Sequence, residues 1–195
     1  SLLRRGDQAA EALYVVGSRL VDTLYARLAK LAVRSVVEVG VSTGLSSLLR
    51  QRNAELGSMG LDRSTDALRS AETRATAAGH GDIVWRCADF FEPDSWVNSL
   101  EELESPLALF SVHFHELLSR GPGPTQDVLR YLGRARPGIR VLAMEQPRPS
   151  MNERKGMEEV PWLYSQSNIL IHHLIGNGRI LSVDGWRKFF EGSGG

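Results

Sequence analysis

An acidic residue and two glycines lie where a β-branched run gives way to helical spacing. The stretch Val36-Val-Glu-Val-Gly-Val-Ser-Thr-Gly spans residues 36–44. Glycines at a strand–helix turn let the backbone approach a ligand, and the following helix points its N–H groups toward it. Glu38 before the first glycine is unfavourable beside an anionic pyrophosphate but suits a cationic, amine-bearing ligand. The turn therefore predicts a ligand site, although a tight turn in an unrelated α/β protein would have the same pattern.

Acidic residues also follow the next two predicted strands. Asp62, followed by Arg63, lies 18 positions after Gly44, where Rossmann-like sites hold ribose hydroxyls with a carboxylate. Asp89 and Phe90 follow the third strand. Separately, Asp62 could cap a helix, and Asp-Phe loops are common. Because these residues come in order at successive strand ends, we expect them to contact one ligand.

Two histidines and a glutamate are concentrated after the predicted fourth strand, at positions 113, 115 and 116. Active sites of open parallel sheets lie beyond the carboxyl ends of the strands. Histidine, as a residue type, changes charge near neutral pH, which suits a general base. His113 or His115 could instead be a hydrogen-bonded core residue, a helix cap or a metal ligand. Metal binding is disfavoured because no second cluster of matching ligands accompanies the first.

These segments resemble the class I, Rossmann-like S-adenosylmethionine-dependent methyltransferases, and are closest to the small-molecule O- and C-methyltransferases. Residues 36–44 are similar to motif I of that family. The resemblance implies S-adenosyl-L-methionine as the cofactor. The positions that would contact it are Glu38, Gly40, Ser42, Gly44, Asp62, Arg63, Asp89, Phe90 and Ser111.

The resemblance extends to the catalytic half. His115-Glu116 is similar to the motif IV pair that supplies the general base, and Arg136-Pro-Gly leads into a fifth strand that ends at Glu145. Glu145 would orient the base or a substrate amine, although a solvent-facing charge would look the same. The implied reaction is methyl transfer to a small-molecule acceptor, which depends mainly on alignment of the reacting atoms. Oxygen, nitrogen and carbon acceptors all stay open.

Two other functions fit the same pattern. An NAD(P)-dependent oxidoreductase can share this fold, although Glu38 and the absence of a glycine at Ser42 count against it. A degenerate methyltransferase domain with a binding or structural role is favoured by Ser42 and by the lack of the family's terminal antiparallel hairpin. That hairpin is expected after the late helix, so we expect a truncated domain, or a second segment or subunit that covers the fifth strand.

A doubly wound, mostly parallel α/β sheet would position these residues. Strands are predicted at 33–39, 58–61, 83–87, 107–112 and 139–144, and helices at 8–31, 45–56, 64–78, 125–134, 163–175 and 183–191. The first helix should bury a stripe of residues spaced three or four apart: Ala9, Leu13, Val16, Leu20, Leu24, Leu28 and Leu31.

One domain is predicted over residues 1–195, with a leading helix at 1–32, a cofactor-binding core at 33–145 and a substrate loop with C-terminal helices at 146–195. The polar segment 146–161 is long for a connection in a compact domain. We expect it to act as a lid, with Trp162 and Tyr164 shaping the acceptor pocket. A homodimer or a neighbouring domain is the expected macromolecular partner.

The overall composition is that of a globular chain. Its 195 residues carry a net charge of +0, with 42% hydrophobic and 24% charged residues, so no basic face is expected for nucleic acid or an anionic membrane. No apolar run approaches the roughly 20 residues of a membrane helix, and the N-terminus lacks signal-peptide features. Cys87 is the single cysteine, which predicts a reducing, cytoplasmic location. The first residue is Ser1, so we expect upstream sequence.

Overall fold

The computed structural model of the chain describes residues 6–41, 44–111, 113–145, 147–149, 152, 155–159 and 178–194. The chain divides into two compact units. Unit 1 comprises Ser1–Ser111 and Leu132–Leu142, and unit 2 comprises Val112–Tyr131 and Ala143–Gly195. The single domain expected over residues 1–195 stays a prediction.

The described residues form six α-helices and five β-strands. The helices are α1 (Gly6–Lys30), α2 (Leu45–Arg50), α3 (Thr65–Ala77), α4 (Phe114–Leu117), α5 (Pro122–Ala135) and α6 (Val183–Glu191). The strands are β1 (Ser35–Val39), β2 (Gly57–Asp62), β3 (Val84–Cys87), β4 (Pro106–Ser111) and β5 (Arg140–Met144).

The five strands form one sheet in the order β3-β2-β1-β4-β5. Strand β1 pairs in parallel with β2 and β4, and β2 pairs in parallel with β3. This arrangement confirms the predicted doubly wound α/β fold. The chain moves outward in one direction from β1 to β3 and in the other from β4 to β5. The strand order therefore reverses between β1 and β4, the position where open α/β sheets bind ligands.

Burial explains why the central strands were recognisable. All five residues of β1 and all six of β4 are buried, so both strands are rich in apolar residues, as strands covered on two faces are, and Glu38 is the one charged residue in them. The outer strands differ, since Val84 in β3 is 45% exposed and Val141 in β5 is 39% exposed. The described residues place no strand beyond β5.

The apolar stripe predicted for the first helix is only partly buried. Leu24 and Leu28 are buried together with Val21, whereas Leu20 and Leu31 are exposed. Leu20 lies at the margin of the buried face, and Leu31 comes after the last helical residue, Lys30. The predicted burial of Leu20 and Leu31 is therefore wrong. The side chains of Ala9, Leu13 and Val16 lie outside the described residues.

Two helices have ends that differ from the predicted ones. Helix α2 ends at Arg50 instead of residue 56, because the next residues form turns in which Arg52 N–H donates to Leu49 O and Glu55 N–H donates to Oδ1 of Asn53. Helix α5 begins at Pro122, three residues early, since proline in a first turn needs no hydrogen-bonded N–H. The predicted helix at 163–175 lies outside the described residues, as do Trp162 and Tyr164.

Aromatic packing holds the helices of unit 2 together. The ring of Phe114 in α4 lies 5.3–6.4 Å, centre to centre, from the rings of three residues of α6: Trp186, Phe189 and Phe190. Gln126 of α5 donates a 2.8 Å hydrogen bond to the carbonyl of Phe189. Through these contacts α4 and α5 both pack on α6. None of the described helices is long and apolar enough to cross a membrane.

Candidate active site

The side chain of Glu38 reaches the first turn of α2. It is fully buried in β1, and its two carboxylate oxygens accept hydrogen bonds from Leu45 N–H at 3.1 Å and Ser46 N–H at 2.8 Å. These donors belong to the first turn of α2, which has no earlier carbonyl to accept them. Glu38 therefore caps α2 from inside the sheet and fixes the turn between the two elements.

The glycine turn requires left-handed backbone at two positions. Gly40 has φ 80° and Gly44 has φ 63°, values that residues with a Cβ rarely adopt. The two glycines therefore allow the sharp passage from β1 to α2. Ser42 lies outside the described residues.

Asp62 closes the same turn at the end of β2. One carboxylate oxygen accepts from Val41 N–H at 3.1 Å and the other from Ser64 N–H at 2.8 Å. An ionised carboxylate has about four acceptor positions, so these two hydrogen bonds leave capacity for ligand hydroxyls. The half-buried side chain is accessible to such a ligand. Arg63, the next residue, is exposed.

Asp89 and Phe90 lie in different environments. One oxygen of Asp89 accepts from Phe91 N–H at 2.9 Å, which forms a tight local turn. The ring of Phe90 is buried, stacked on Trp96 and edge-on to Phe110. Phe90 is thus a core residue in this structure, and its expected packing on an adenine ring stays a prediction.

Ser111, at the carboxyl end of β4, has a buried hydroxyl without a hydrogen-bond partner among the described residues. A buried polar atom in that state is costly, and a bound ligand that supplies a partner relieves the cost. Together with the open acceptor positions of Asp62, this hydroxyl makes unit 1 a fit for a ligand that carries both donors and acceptors, as S-adenosylmethionine does.

In unit 2, His115 is paired with Glu145. Nδ1 of His115 lies 2.9 Å from a carboxylate oxygen of Glu145, and the two side chains are only 5% and 6% exposed. The other oxygen of Glu145 accepts from the N–H of Phe114. One carboxylate thus holds both the histidine ring and the first turn of its helix.

The second histidine has a different partner and more exposure. His113 Nδ1 lies 3.5 Å from a carboxylate oxygen of Glu116, and both side chains are about one-quarter exposed. The predicted candidates therefore separate into two pairs: His115 with Glu145, and His113 with Glu116. Within the described residues, no group of three or more His, Cys, Asp and Glu side chains is placed to hold a metal ion.

Two further features of unit 2 were not predicted. Thr125 is fully buried and donates to the carbonyl of Leu117 at 3.2 Å, which supports the end of α4. The backbone of residues 178–181 runs against α4, with Arg179 N–H donating to His115 O at 2.9 Å. The closely spaced glycines at positions 176 and 178 are a signal for a turn that the sequence analysis did not use, and nothing in the sequence indicates the partner of that turn.

Comparison with known proteins gives the fold and little more. No family model matches the chain, and no curated protein matches it. Solved structures do match, and several of them are methyltransferases, so the chain has the Rossmann-like fold of those proteins.

Three of these structures show the range of sequence identity, coverage and TM-score. An O-methyltransferase-like protein from Nostoc punctiforme has 14% identity and TM-score 0.70 over 97% of this chain and 53% of its own. The methyltransferase CalO6 has 21% identity and TM-score 0.64, over 84% and 50%. An O-methyltransferase family 2 protein from Planctomyces limnophilus, in complex with apigenin, has 14% identity and TM-score 0.63, over 100% and 57%. The chain spans about half the length of these proteins.

Proposed function

We propose that this protein transfers a methyl group from S-adenosyl-L-methionine to a small-molecule acceptor, with His115 as the general base. The observation that carries the cofactor choice is the cap that Glu38 forms on α2. A dinucleotide fold uses the helix N-terminus to bind a pyrophosphate. Here two first-turn N–H groups already donate to a buried carboxylate, whose charge also repels phosphate. The site therefore favours a cofactor without phosphates over NAD(P).

The proposed cofactor-site residues have two roles: some shape the turn, and the others contact the cofactor. Glu38, Gly40 and Gly44 set the shape of the turn, and Ser42 lies within it. Asp62 binds the ribose hydroxyls with the acceptor positions that Val41 and Ser64 leave open. The remaining contacts in this proposal come from Arg63, Asp89, Phe90 and Ser111.

His115 and Glu145 provide the acid–base chemistry. An ionised carboxylate only accepts hydrogen bonds, so Glu145 keeps the proton of the neutral ring on Nδ1 and leaves Nε2 as the basic nitrogen. Nε2 takes the acceptor's proton as the new bond to the methyl group forms. The resulting imidazolium is stabilised by the adjacent carboxylate. S-adenosylmethionine, when bound, supplies a methyl group on a sulfonium, which is activated for this displacement. Glu116 is adjacent to His115 in sequence and contributes to the same turn.

We propose a hydroxyl as the acceptor group. One similar structure is PigF with SAH, another is a mitomycin 7-O-methyltransferase, and a third contains apigenin. These three proteins are 14–18% identical to this chain. Their ligands and reactions suggest hydroxylated aromatic compounds as the first acceptors to test.

Calorimetric titration with S-adenosylmethionine tests the cofactor assignment. Asp62→Ala removes the carboxylate proposed to hold the ribose, so we expect binding to be lost. Asp66→Ala is the matched control: Asp66 is exposed in α3 and contacts Arg69, and we expect wild-type affinity. Wild-type affinity in a folded Asp62→Ala protein would overturn the assignment.

A turnover assay beside the titration separates the enzyme from a degenerate domain. Cofactor binding with no turnover on a panel of oxygen, nitrogen and carbon acceptors would favour a binding or structural role.

A cytoplasmic location and a homodimer or neighbouring-domain partner remain part of the proposal. Cys87 is exposed and free, which suits a reducing compartment.

A further inference from the structure

Helix α4, which carries the proposed base, is a single turn of four residues. A helix this short is held by few backbone hydrogen bonds of its own, among them Leu117 N–H to His113 O and Leu118 N–H to Phe114 O. Its position therefore depends on contacts from elsewhere in unit 2. The N–H of Phe114 donates to Glu145, and the carbonyl of His115 accepts from Arg179 N–H at 2.9 Å.

Residues 178–181, which we call the strap, lead from the backbone contact with His115 to the start of α6. At one end Arg179 N–H binds the carbonyl of His115, and at the other Leu181 O accepts from Arg148 N–H at 2.7 Å. Ser182 follows at once and caps α6, accepting from Gly185 N–H at 3.1 Å. Both ends of the strap are thus anchored by backbone hydrogen bonds.

Gly178 lets the strap lie against the backbone of α4. It has φ +86°, and an added Cβ would overlap the carbonyl oxygen of His115 and lie 2.9 Å from Cα of Glu116. Real Cβ atoms essentially never approach other atoms closer than 3.0 Å. The obstructing atoms are all backbone, so no side-chain rotation relieves the overlap. Any side chain at position 178 must therefore separate the strap from His115 or displace His115 itself.

We propose that the strap is a positioning element for the His115–Glu145 pair, with Gly178 as its key residue. This inference rests on the proposed role of His115. The strap fixes the carbonyl side of His115, and Glu145 fixes the ring and the N–H side of the turn. If the strap separates, α4 loses one of these anchors and Nδ1 moves relative to the carboxylate. A misplacement of about 1 Å in a catalytic group can cost roughly 100-fold in rate.

Gly178→Ala tests the inference, with Gly138→Ala as its matched control. Gly138 has nearly the same φ, +85°, but nothing lies within 4 Å of an added Cβ. Both variants carry the same backbone strain, and only Gly178→Ala carries the collision. The readout is the Nδ1–H resonance of His115 in histidine-labelled protein, assigned among the five histidines with His115→Gln.

We expect wild type and Gly138→Ala to share a downfield, carboxylate-bonded Nδ1–H signal that Gly178→Ala loses. An unchanged signal in folded Gly178→Ala would overturn the proposal. If that variant does not fold, amide exchange in the wild-type protein decides. The Arg179 N–H should then be as protected as the Trp186 N–H inside α6, and exchange at the rate of an open peptide would overturn it.

Activity is a separate readout. On an acceptor that the wild type methylates, Gly178→Ala should lower kcat by roughly 100-fold with little change in KM for the cofactor. The magnetic resonance and exchange measurements use neither cofactor nor acceptor. If those measurements give the expected result but His115→Gln retains full methyl transfer, the positioning role of the strap stands and the proposal that His115 is the general base is wrong.

Discussion

Glu38 has a structural role that its sequence position did not indicate. The residue was expected to face a cationic ligand, which stays a prediction, and both of its oxygens cap α2 from a fully buried position. A buried charge needs such partners, because desolvation without them is very costly. In the proposed function the same arrangement disfavours a phosphate-bearing cofactor, since two first-turn donors of α2 are engaged.

Glu38→Gln should destabilise the protein. The amide keeps one acceptor oxygen but presents an NH₂ group to the second N–H, so one buried donor is left unpaired at a cost of about 1–3 kcal/mol. Urea unfolding measures the loss. Glu55→Gln, at an exposed position, should change the unfolding free energy by less than about 0.5 kcal/mol. Equal midpoints for the two variants would contradict the capping role.

His115→Gln should reduce the methyl transfer rate by about 10²–10⁴-fold, the usual contribution of a positioned base. His113→Gln is the control, since His113 pairs with Glu116 at 3.5 Å and is more exposed than His115. Single-turnover rates with saturating cofactor make the comparison. A larger loss for His113→Gln would assign the base to the other pair.

At the scale of elements, β2 and β3 pack so closely that one position must be glycine. Gly60 pairs with Trp85 in the register of the two strands. An added Cβ at Gly60 would collide with the ring of Trp85 and lie 2.8 Å from Val41. Trp85 in turn covers a buried cluster of Val41, Leu68 and Ala71. Gly60 therefore leaves room for the indole of Trp85 beside β2, where it packs against this cluster.

Gly60→Ala should lower the unfolding free energy by about 1–3 kcal/mol, the usual cost of overpacking. Gly133→Ala is the opposite case, since Gly133 lies within α5 and nothing is within 4 Å of an added Cβ. That variant should stabilise the protein by about 0.5–1 kcal/mol, because alanine favours helix. Urea unfolding of both variants tests the contrast, and a neutral Gly60→Ala would show that the Trp85 ring moves aside.

At the scale of the whole molecule, the chain spans about half the length of the methyltransferases whose fold it shares. It nevertheless contains the strand ends and the acid–base pair on which the proposal depends. Cofactor binding is therefore expected from this chain, and the acceptor and the oligomeric state stay proposals.

S-adenosylhomocysteine should raise the melting temperature of the chain. A ligand at 100 times its Kd stabilises the native state by about 2.7 kcal/mol, which corresponds to roughly 5–10 °C for a protein of this size. NAD at the same concentration should leave Tm unchanged, because α2 has no free donors for its pyrophosphate in the first two positions. A shift with NAD and none with S-adenosylhomocysteine would favour the oxidoreductase.

The sequence determined the local features of this protein. The β-branched and apolar runs located the strands, and the order of acidic residues after them located the strand ends at which the ligand site is proposed. These patterns are local consequences of burial and of backbone geometry, so a single sequence is enough to find them. The boundaries of α2 and α5 were less accurate, because turn and proline effects at helix ends compete with periodicity.

Only the tertiary structure decided which residues meet. Glu116 is next to His115 in sequence, yet neighbours in a helix do not face each other, and residues three apart do. Glu116 therefore lies beside His113, and His115 is left to a carboxylate 30 residues away, Glu145. The contact of Gly178 with the backbone of His115 is equally long-range. Such pairings depend on how the elements pack in three dimensions, which no spacing within one segment encodes.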